Sequence, residues 1–208
     1  MRPKKNNPLF YCENKLKKRG HNLIIGVDEV GRGCLAGPVV AAAVTLRNPK
    51  TKSYIHDSKK LTARQREDAF LELIDKSVFG IGIVNEKIID RLNILVATRI
   101  AMEEAIEGLI NKLKSYKKKR PYILVDGNVK LDIKFPFKNI IRGDSKYKSI
   151  ASASILAKVT RDRIMSVYDK VYPQYGFSQN KGYATKTHKA ALKKIGPCLI
   201  HRSTFFCA

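Results

Sequence analysis

Cysteine is scarce in this chain: Cys12, Cys34, Cys198 and Cys207 are the four in 208 residues, with no C-x-x-C pair among them. That excludes a disulfide-stapled scaffold and points to free thiols. Long apolar runs are missing too. No stretch reaches the roughly 18 residues of a membrane span, and the opening MRPKKNNPLFYCENKLKKRG lacks the apolar core of a signal peptide. A cytoplasmic protein with no membrane partner is therefore expected. His21, His56, His188 and His201 form no H-E-x-x-H pair and no serine sits in G-x-S-x-G, which removes the zinc-peptidase and serine-hydrolase signatures. Acidic residues are few, 18 against 41 Lys and Arg, for a formal charge of +23. Lysine outnumbers arginine 28 to 13, so part of the charge reflects a general taste for lysine. Even so, such a surplus repels itself in a compact state, and a polyanion, with nucleic acid foremost, is the simplest compensation.

What is present can fold. At 44% hydrophobic and 28% charged residues, the chain is long enough for one domain with a real core. Residues 1–20 read as a loose basic arm. LIIGV (23–27) reads as a buried strand and AGPVVAAAVTL (36–46) as a second, joined by a tight glycine-rich link into a hairpin. Thr62 is placed to cap a helix over ARQREDAFLELIDK. VFGIGIVN (78–85) alternates as a strand, Ile94–Leu113 has a helical period, YILV (122–125) and FKNII (137–141) read as strands, and Ser149–Val171 as a long helix. A short helix is expected near His188–Lys194. There are no internal repeats. This order implies an α/β fold, a mixed sheet flanked by helices with a helical C-terminal segment.

Because carboxylates are scarce, those that follow apolar strands are informative. Asp28-Glu29 closes LIIGVDEV, Asp126 closes YILVD, and Asp144 follows the apolar stretch before IIRGD. Neighbouring strand residues point to opposite faces, so Asp28 and Glu29 reach one site only if the chain turns there, as Gly31 and Gly33 permit, or if one contributes its backbone carbonyl. Like charges converge stably only around a cation, and oxygen donors suit Mg²⁺ or Mn²⁺. A pair of such ions supports in-line displacement at phosphorus. Singly, each carboxylate is equally readable as a turn or cap residue. A competing pattern, Gly31-Arg32-Gly33-Cys34-Leu35-Ala36 with Asp57 downstream, imitates a dinucleotide fingerprint, but a strand follows where that fingerprint needs a helix. A nonenzymatic basic RNA-binding protein explains the charge and leaves the carboxylates unexplained.

The runs GVDEVGRGCLAGPVVAAAV (26–44), DSKKLT (57–62), RLNILVATRIAM (91–102), LVDGN (124–128), GDSKYKSIASASILAKVTRD (143–162), YPQYGFSQNKGYATKTH (172–188) and HRSTF (201–205) together resemble prokaryotic ribonuclease HII, over nearly everything from residue 22. The resemblance implies a ribonuclease H-like catalytic domain over 21–172, with 173–208 contributing to substrate binding. It also implies a monomeric endoribonuclease that cuts RNA in RNA/DNA hybrids and nicks at ribonucleotides embedded in duplex DNA, leaving 3′-hydroxyl and 5′-phosphate ends. Mg²⁺ or Mn²⁺, two ions during catalysis, is the implied cofactor. By motif position Asp28, Glu29 and Asp126 match metal ligands and Asp144 a fourth active-site carboxylate. Gly31, Arg32 and Gly33 match the loop that grips the ribonucleotide, and Tyr183 the residue that senses its 2′-hydroxyl. Lys59, Lys146 and Lys181 are candidate phosphate contacts, and Asp162, which could assist a metal from the long helix, is read first as a salt-bridge partner for a neighbouring arginine. Ser152, Val129-Lys130 and Thr204 depart from the family pattern without touching a carboxylate. Phe205-Phe206 resembles the end of a sliding-clamp-binding peptide, but Leu199 stands where such peptides begin with glutamine, which argues against clamp binding.

Overall fold

A computed structural model describes residues 8–47, 51, 53, 55, 58–113 and 120–205, the first five of these as backbone. Five strands form one mixed sheet in the order β3-β2-β1-β4-β5: β1 (Leu23–Val30), β2 (Val39–Leu46), β3 (Ser77–Val84), β4 (Pro121–Asp126) and β5 (Phe137–Ile140). β1, β2 and β3 pair antiparallel as a meander, while β4 and β5 run parallel to β1. The central strand β1 is covered on both faces, which is why it reads as an unbroken apolar run rather than an alternation.

Alternation nevertheless sorts its residues. Leu23, Ile25 and Val27 face α4 (Ile94–Lys112) and pack with Ala101, Ala105 and Leu109. On the other face, α5 (Lys148–Val171) and α2 (Ala63–Lys76) cover Val40, Ala42 and Val44. Both long helices lie unusually close to the sheet. A Cβ on Gly26 would collide with the backbone of Ser149 and Ile150, and one on Gly80 or Gly82 with the α4 carbonyls of Ala105 and Ala101. Thr62 caps α2 as expected: its Oγ1 accepts from Gln65 N at 3.2 Å while Gln65 Oε1 accepts from Thr62 N at 2.9 Å.

Several elements differ from the sequence reading. Residues 8–18 form a helix, α1 (Pro8–Lys18), rather than a loose arm. Its anchor is one buried carboxylate: Glu13 Oε1 accepts from Ser149 N at 2.7 Å, serving an orphan amide at the start of α5, and Leu16 joins the cluster of Ile24, Leu124, Ile140 and Ile150. Two such docking contacts leave no period to detect. A further short helix, α3 (Glu86–Leu92), follows β3, capped by Asn85 Oδ1 on Ile88 N. β1 runs on to Val30, and β2 begins at Val39 instead of 36 because Gly37 has φ +79 and Ala36 is tied by a bridge to His201.

The C-terminal segment holds α6 (Phe177–Asn180) and α7 (Lys186–Ile195). Tyr175, Phe177 and Ile200 pack with Ala36 and Met165, pressing this segment onto the loop between β1 and β2. Among the described residues no helix is long and apolar enough to cross a membrane. Cys34 and Cys198 are free thiols, and Cys12 and Cys207 are outside the described side chains.

Candidate active site

The parallel register that sets Val27 beside Val125 carries Asp28 and Asp126 to neighbouring positions on the α5 face of the sheet. Asp144 arrives from the short 3-10 turn Gly143–Ser145 beyond β5, rather than from a strand end. That turn is pinned to the site, since Gly143 N donates to Asp126 Oδ1 at 2.6 Å. Asp28 and Glu29 lie within β1 and not past it, so the chain does not turn between them. Glu29 has the opposite parity, and its Oε1 accepts from Arg32 Nη1 at 3.3 Å. All four nonetheless line one cleft of about 220 Å³, together with Lys59, Arg66, Lys158, Ser58, Ser154 and Tyr183.

Charge in this cleft is strained in a definite sense. Burial, then the nearby Glu29 and Asp126 carboxylates, push the Asp28 carboxyl well above its ordinary value, opposed by hydrogen bonds from Ser154 and the Glu29 amide. Glu29 is raised as well, mainly by burial, with Arg32 pulling the other way. Ser58 Oγ and Ser154 Oγ are 2.9 Å apart, so a two-hydroxyl chain leads to Asp28. Hard oxygen donors crowded in this way are the donor chemistry a divalent cation relieves. The side chains do not close on one point: among the described residues no three His, Cys, Asp or Glu form a ready metal cluster, as expected of carboxylates repelling each other without a counter-ion.

Beside the carboxylates runs the loop 31–38. Gly31 has φ +96, and a Cβ there would meet Arg161 Nε and the Pro38 carbonyl, whereas Gly33 has open space and Arg32 is exposed. Two fully buried arginines hold this loop by its carbonyls. Arg161 donates to Ala36 (3.0 Å), Pro38 (2.9 Å) and Lys181 (2.7 Å). Arg202 donates to Gly31 (2.7 Å), Arg32 (2.9 Å) and Gly37 (2.8 and 3.0 Å). Burial drops Arg202 to about 10. Tyr183 sits against this loop, 39% exposed, with Lys158 Nζ at 5.6 Å and Arg161 Cζ at 5.8 Å from its ring centre. Its hydroxyl is pushed up to about 12, chiefly by burial and then by Cys34, to which it hydrogen-bonds.

The candidate lysines separate. Lys59 lines the cleft. Lys146 is exposed outside the cleft lining, with Nζ donating to Ile141 O at 2.7 Å. Lys181 lines an adjoining groove, with Nζ 2.9 Å from Ser166 Oγ. Asp162 pairs with Lys158 at 2.8 Å, one turn away, and not with an arginine. Asp57, part of the dinucleotide-like pattern, is outside the described residues. Sequence reasoning passed over Ser58, Ser154, Arg66, Lys158, Arg161 and Arg202 as site-forming residues. The two buried arginines did leave a trace, each lying inside a motif quoted above.

The ribonuclease HII family model matches residues 25–207. The chain belongs to the ribonuclease HII family. It is 52% identical over 198 residues to ribonuclease HII of Caldanaerobacter subterraneus subsp. tengcongensis, covering 94% of this chain and 78% of that protein. To the enzyme of Syntrophotalea carbinolica it is 43% identical over 200 residues, covering 96% and 92%. Among solved structures, ribonuclease H2 of Pyrococcus horikoshii superposes with TM-score 0.66 at 30% identity, covering 87% of this chain and 92% of that one. Two more share the fold: ribonuclease HII of Archaeoglobus fulgidus in complex with PCNA (TM-score 0.67, 24% identity, 87% and 94% covered) and Bst-RNase HIII in complex with Mn²⁺ (TM-score 0.65, 16% identity, 85% and 64% covered). This ribonuclease HII homologue is thus a ribonuclease H endonuclease on a ribonuclease H-like mixed sheet, and the oxidoreductase and nonenzymatic readings fall away.

Proposed function

We propose that this family member hydrolyses the RNA strand of RNA/DNA hybrids and nicks at single ribonucleotides in duplex DNA, leaving 3′-hydroxyl and 5′-phosphate ends. The observation that carries the reading is that Asp28, Glu29, Asp126 and Asp144 line one cleft together with Val30 and Tyr183, the Gly31–Gly33 loop following directly on Val30. Asp28, Glu29 and Asp126, with Asp144 as fourth carboxylate, would hold Mg²⁺ or Mn²⁺. Such ions supply an activated water and charge stabilisation for the leaving oxygen.

The chain's own residues do the rest. Arg161 and Arg202 hold loop 31–38 by its carbonyls while the Cys34, Leu35 and Gly37 amides are bonded to Gly31, Gly182 and Ile200, so the exposed Arg32-Gly33 turn is the part of its backbone that would meet a ribose or phosphate. Tyr183, beside that loop and in the lining of the carboxylate cleft, meets the 2′-hydroxyl, the group that separates RNA from DNA at one position. A hydroxyl held up near 12 stays protonated, and its hydrogen bond to Cys34 would be exchanged for that contact. Lys59 and Lys158 offer cations to the flanking phosphates, positioning without reading sequence.

Clamp binding is not part of the proposal. Phe205 packs against the α4 side of the core and under Arg202, 5.0 Å from its guanidinium, and Phe206 is outside the described residues. A labelled DNA duplex carrying one ribonucleotide, incubated with Mg²⁺, with Mn²⁺ and with EDTA, tests the reading. A nick at the ribonucleotide only with metal is expected, and no cleavage under any condition refutes it.

A further inference from the structure

We propose that His188 and His201 are positioning residues: a neutral imidazole strut that sets Tyr183 in the carboxylate cleft. The inference rests on reading Tyr183 as the residue that meets the ribose. Its evidence is a hydrogen-bond chain with one consistent direction. His201 Nδ1 lies 2.9 Å from the Cys198 amide, 3.1 Å from that residue's Sγ and 3.3 Å from its carbonyl; the amide, which can only donate, is the closest of the three and makes that nitrogen an acceptor, leaving the His201 proton on Nε2. His201 Nε2 stands 3.0 Å from His188 Nε2, which must then accept. His188 consequently carries its proton on Nδ1, placed 2.9 Å from the Tyr183 carbonyl.

Every link is satisfied only when both rings are neutral, because a second proton on either would set two N–H groups against each other or against a donor. The surroundings keep them neutral. His188 is fully buried and His201 nearly so, and Tyr175 and Phe177 wall the pair, with centroids 4.8 Å from His201 and 5.4 Å from His188. Burial lowers both imidazoles, His201 to about 4 with His188 as second cause.

Packing alone does not call for this arrangement. Two buried polar rings cost free energy that aliphatic side chains of similar volume would avoid, and the chain they form ends at the backbone of the cleft's tyrosine. Tyr183 has local support from Asn180 O and Thr185 N at 2.9 and 2.8 Å. The strut adds the one tie that links it to the far end of the C-terminal segment.

Two measurements test this. Imidazole ¹⁵N spectra of the wild-type protein at pH 7 should show His188 as the Nδ1–H tautomer and His201 as Nε2–H. A cationic ring, or His188 protonated on Nε2, would overturn the strut. A double-mutant cycle then asks whether it acts through Tyr183. His188→Leu should lower kcat/KM at a lone ribonucleotide on the order of tenfold, the scale of a sub-ångström misplacement. In a Tyr183→Ala background the same change should cost less than about twofold. His201→Gln serves as the second entry to the cycle if His188→Leu fails to fold. Multiplying losses would reduce the pair to packing and overturn the proposal. Wild-type cleavage by Tyr183→Ala would instead overturn the ribose reading, leaving the spectra to decide whether the strut exists.

Discussion

Replacing Arg202 with methionine keeps an unbranched stem of similar length and removes the guanidinium that holds loop 31–38. Four hydrogen bonds disappear, and the carbonyls of Gly31, Arg32 and Gly37 lose this donor. A buried acceptor left unsatisfied costs about 1–3 kcal/mol, so three would set a ceiling of about 3–9 kcal/mol, reduced because Gly31 O keeps the Cys34 amide and Arg32 is solvent-exposed. Against this, the variant no longer desolvates a cation that is fully buried in the wild type, a relief of several kcal/mol. The net expectation is a loss of about 2–4 kcal/mol, large but inside the 5–15 kcal/mol of a typical domain, so the variant should fold at 25 °C. Urea unfolding would read the loss as a lower midpoint at unchanged slope. Cleavage at a lone ribonucleotide should fall about tenfold, because the glycine loop is free to leave its working geometry. A loss under 1 kcal/mol together with unchanged cleavage would refute the reasoning and mean that the loop is held by something else.

Asp126→Asn should abolish cleavage while hybrid binding persists, since it removes charge at the cleft and spares the basic exterior; parallel loss of binding, measured by fluorescence anisotropy, would mark the residue as structural. Binding should weaken steeply with salt, log affinity falling by roughly 0.9 per phosphate contact per log unit, and a flat profile would refute a phosphate-driven interface. Tyr183→Ala should slow cleavage at a lone ribonucleotide while plain DNA duplex binds as before, as phosphate contacts survive. Glu13 is raised above 4.5, mainly by burial, so its folded state favours the protonated form: stability from this group is present at low pH and declines as pH rises through the raised value. Glu13→Gln, which keeps an acceptor for Ser149 N, should flatten that decline in thermal melts across pH 4–8; an unchanged slope would place the pH dependence elsewhere.

Much of this architecture was legible because local rules and the global fold agree. The Thr62–Gln65 capping box, the alternation of β3 and the helical period of α4 each announce themselves within one element. The strand-end carboxylates were found because acids are rare here and apolar strands precede them. Illegible features are those made by pairs far apart in the chain. Nothing near Glu13 shows that its carboxylate serves Ser149, and Ser58 meets Ser154 across 96 positions. Burial of Arg161 and Arg202 runs against their type, because backbone carbonyls, invisible to any residue pattern, accept from every nitrogen of both guanidinium groups. The extension of β1 through Val30 was missed for a related reason: charged residues read as the end of a strand, when here they are strand residues kept for chemistry.

The tie between loop 31–38 and Arg202 also bears on the order in which the enzyme is made. Gly31 and Gly37 leave the ribosome long before residue 202, which stands 171 and 165 positions further along. Arg161 can hold Ala36 and Pro38 earlier, but the carbonyls of Gly31, Arg32 and Gly37 gain their guanidinium only with Arg202, after all four carboxylates are in place. Non-local contacts of this span form late in folding. The fold thereby puts a late-made residue in charge of an early-made loop: the Gly31–Gly37 backbone has its full set of donors only once the segment around Arg202 has folded back onto it.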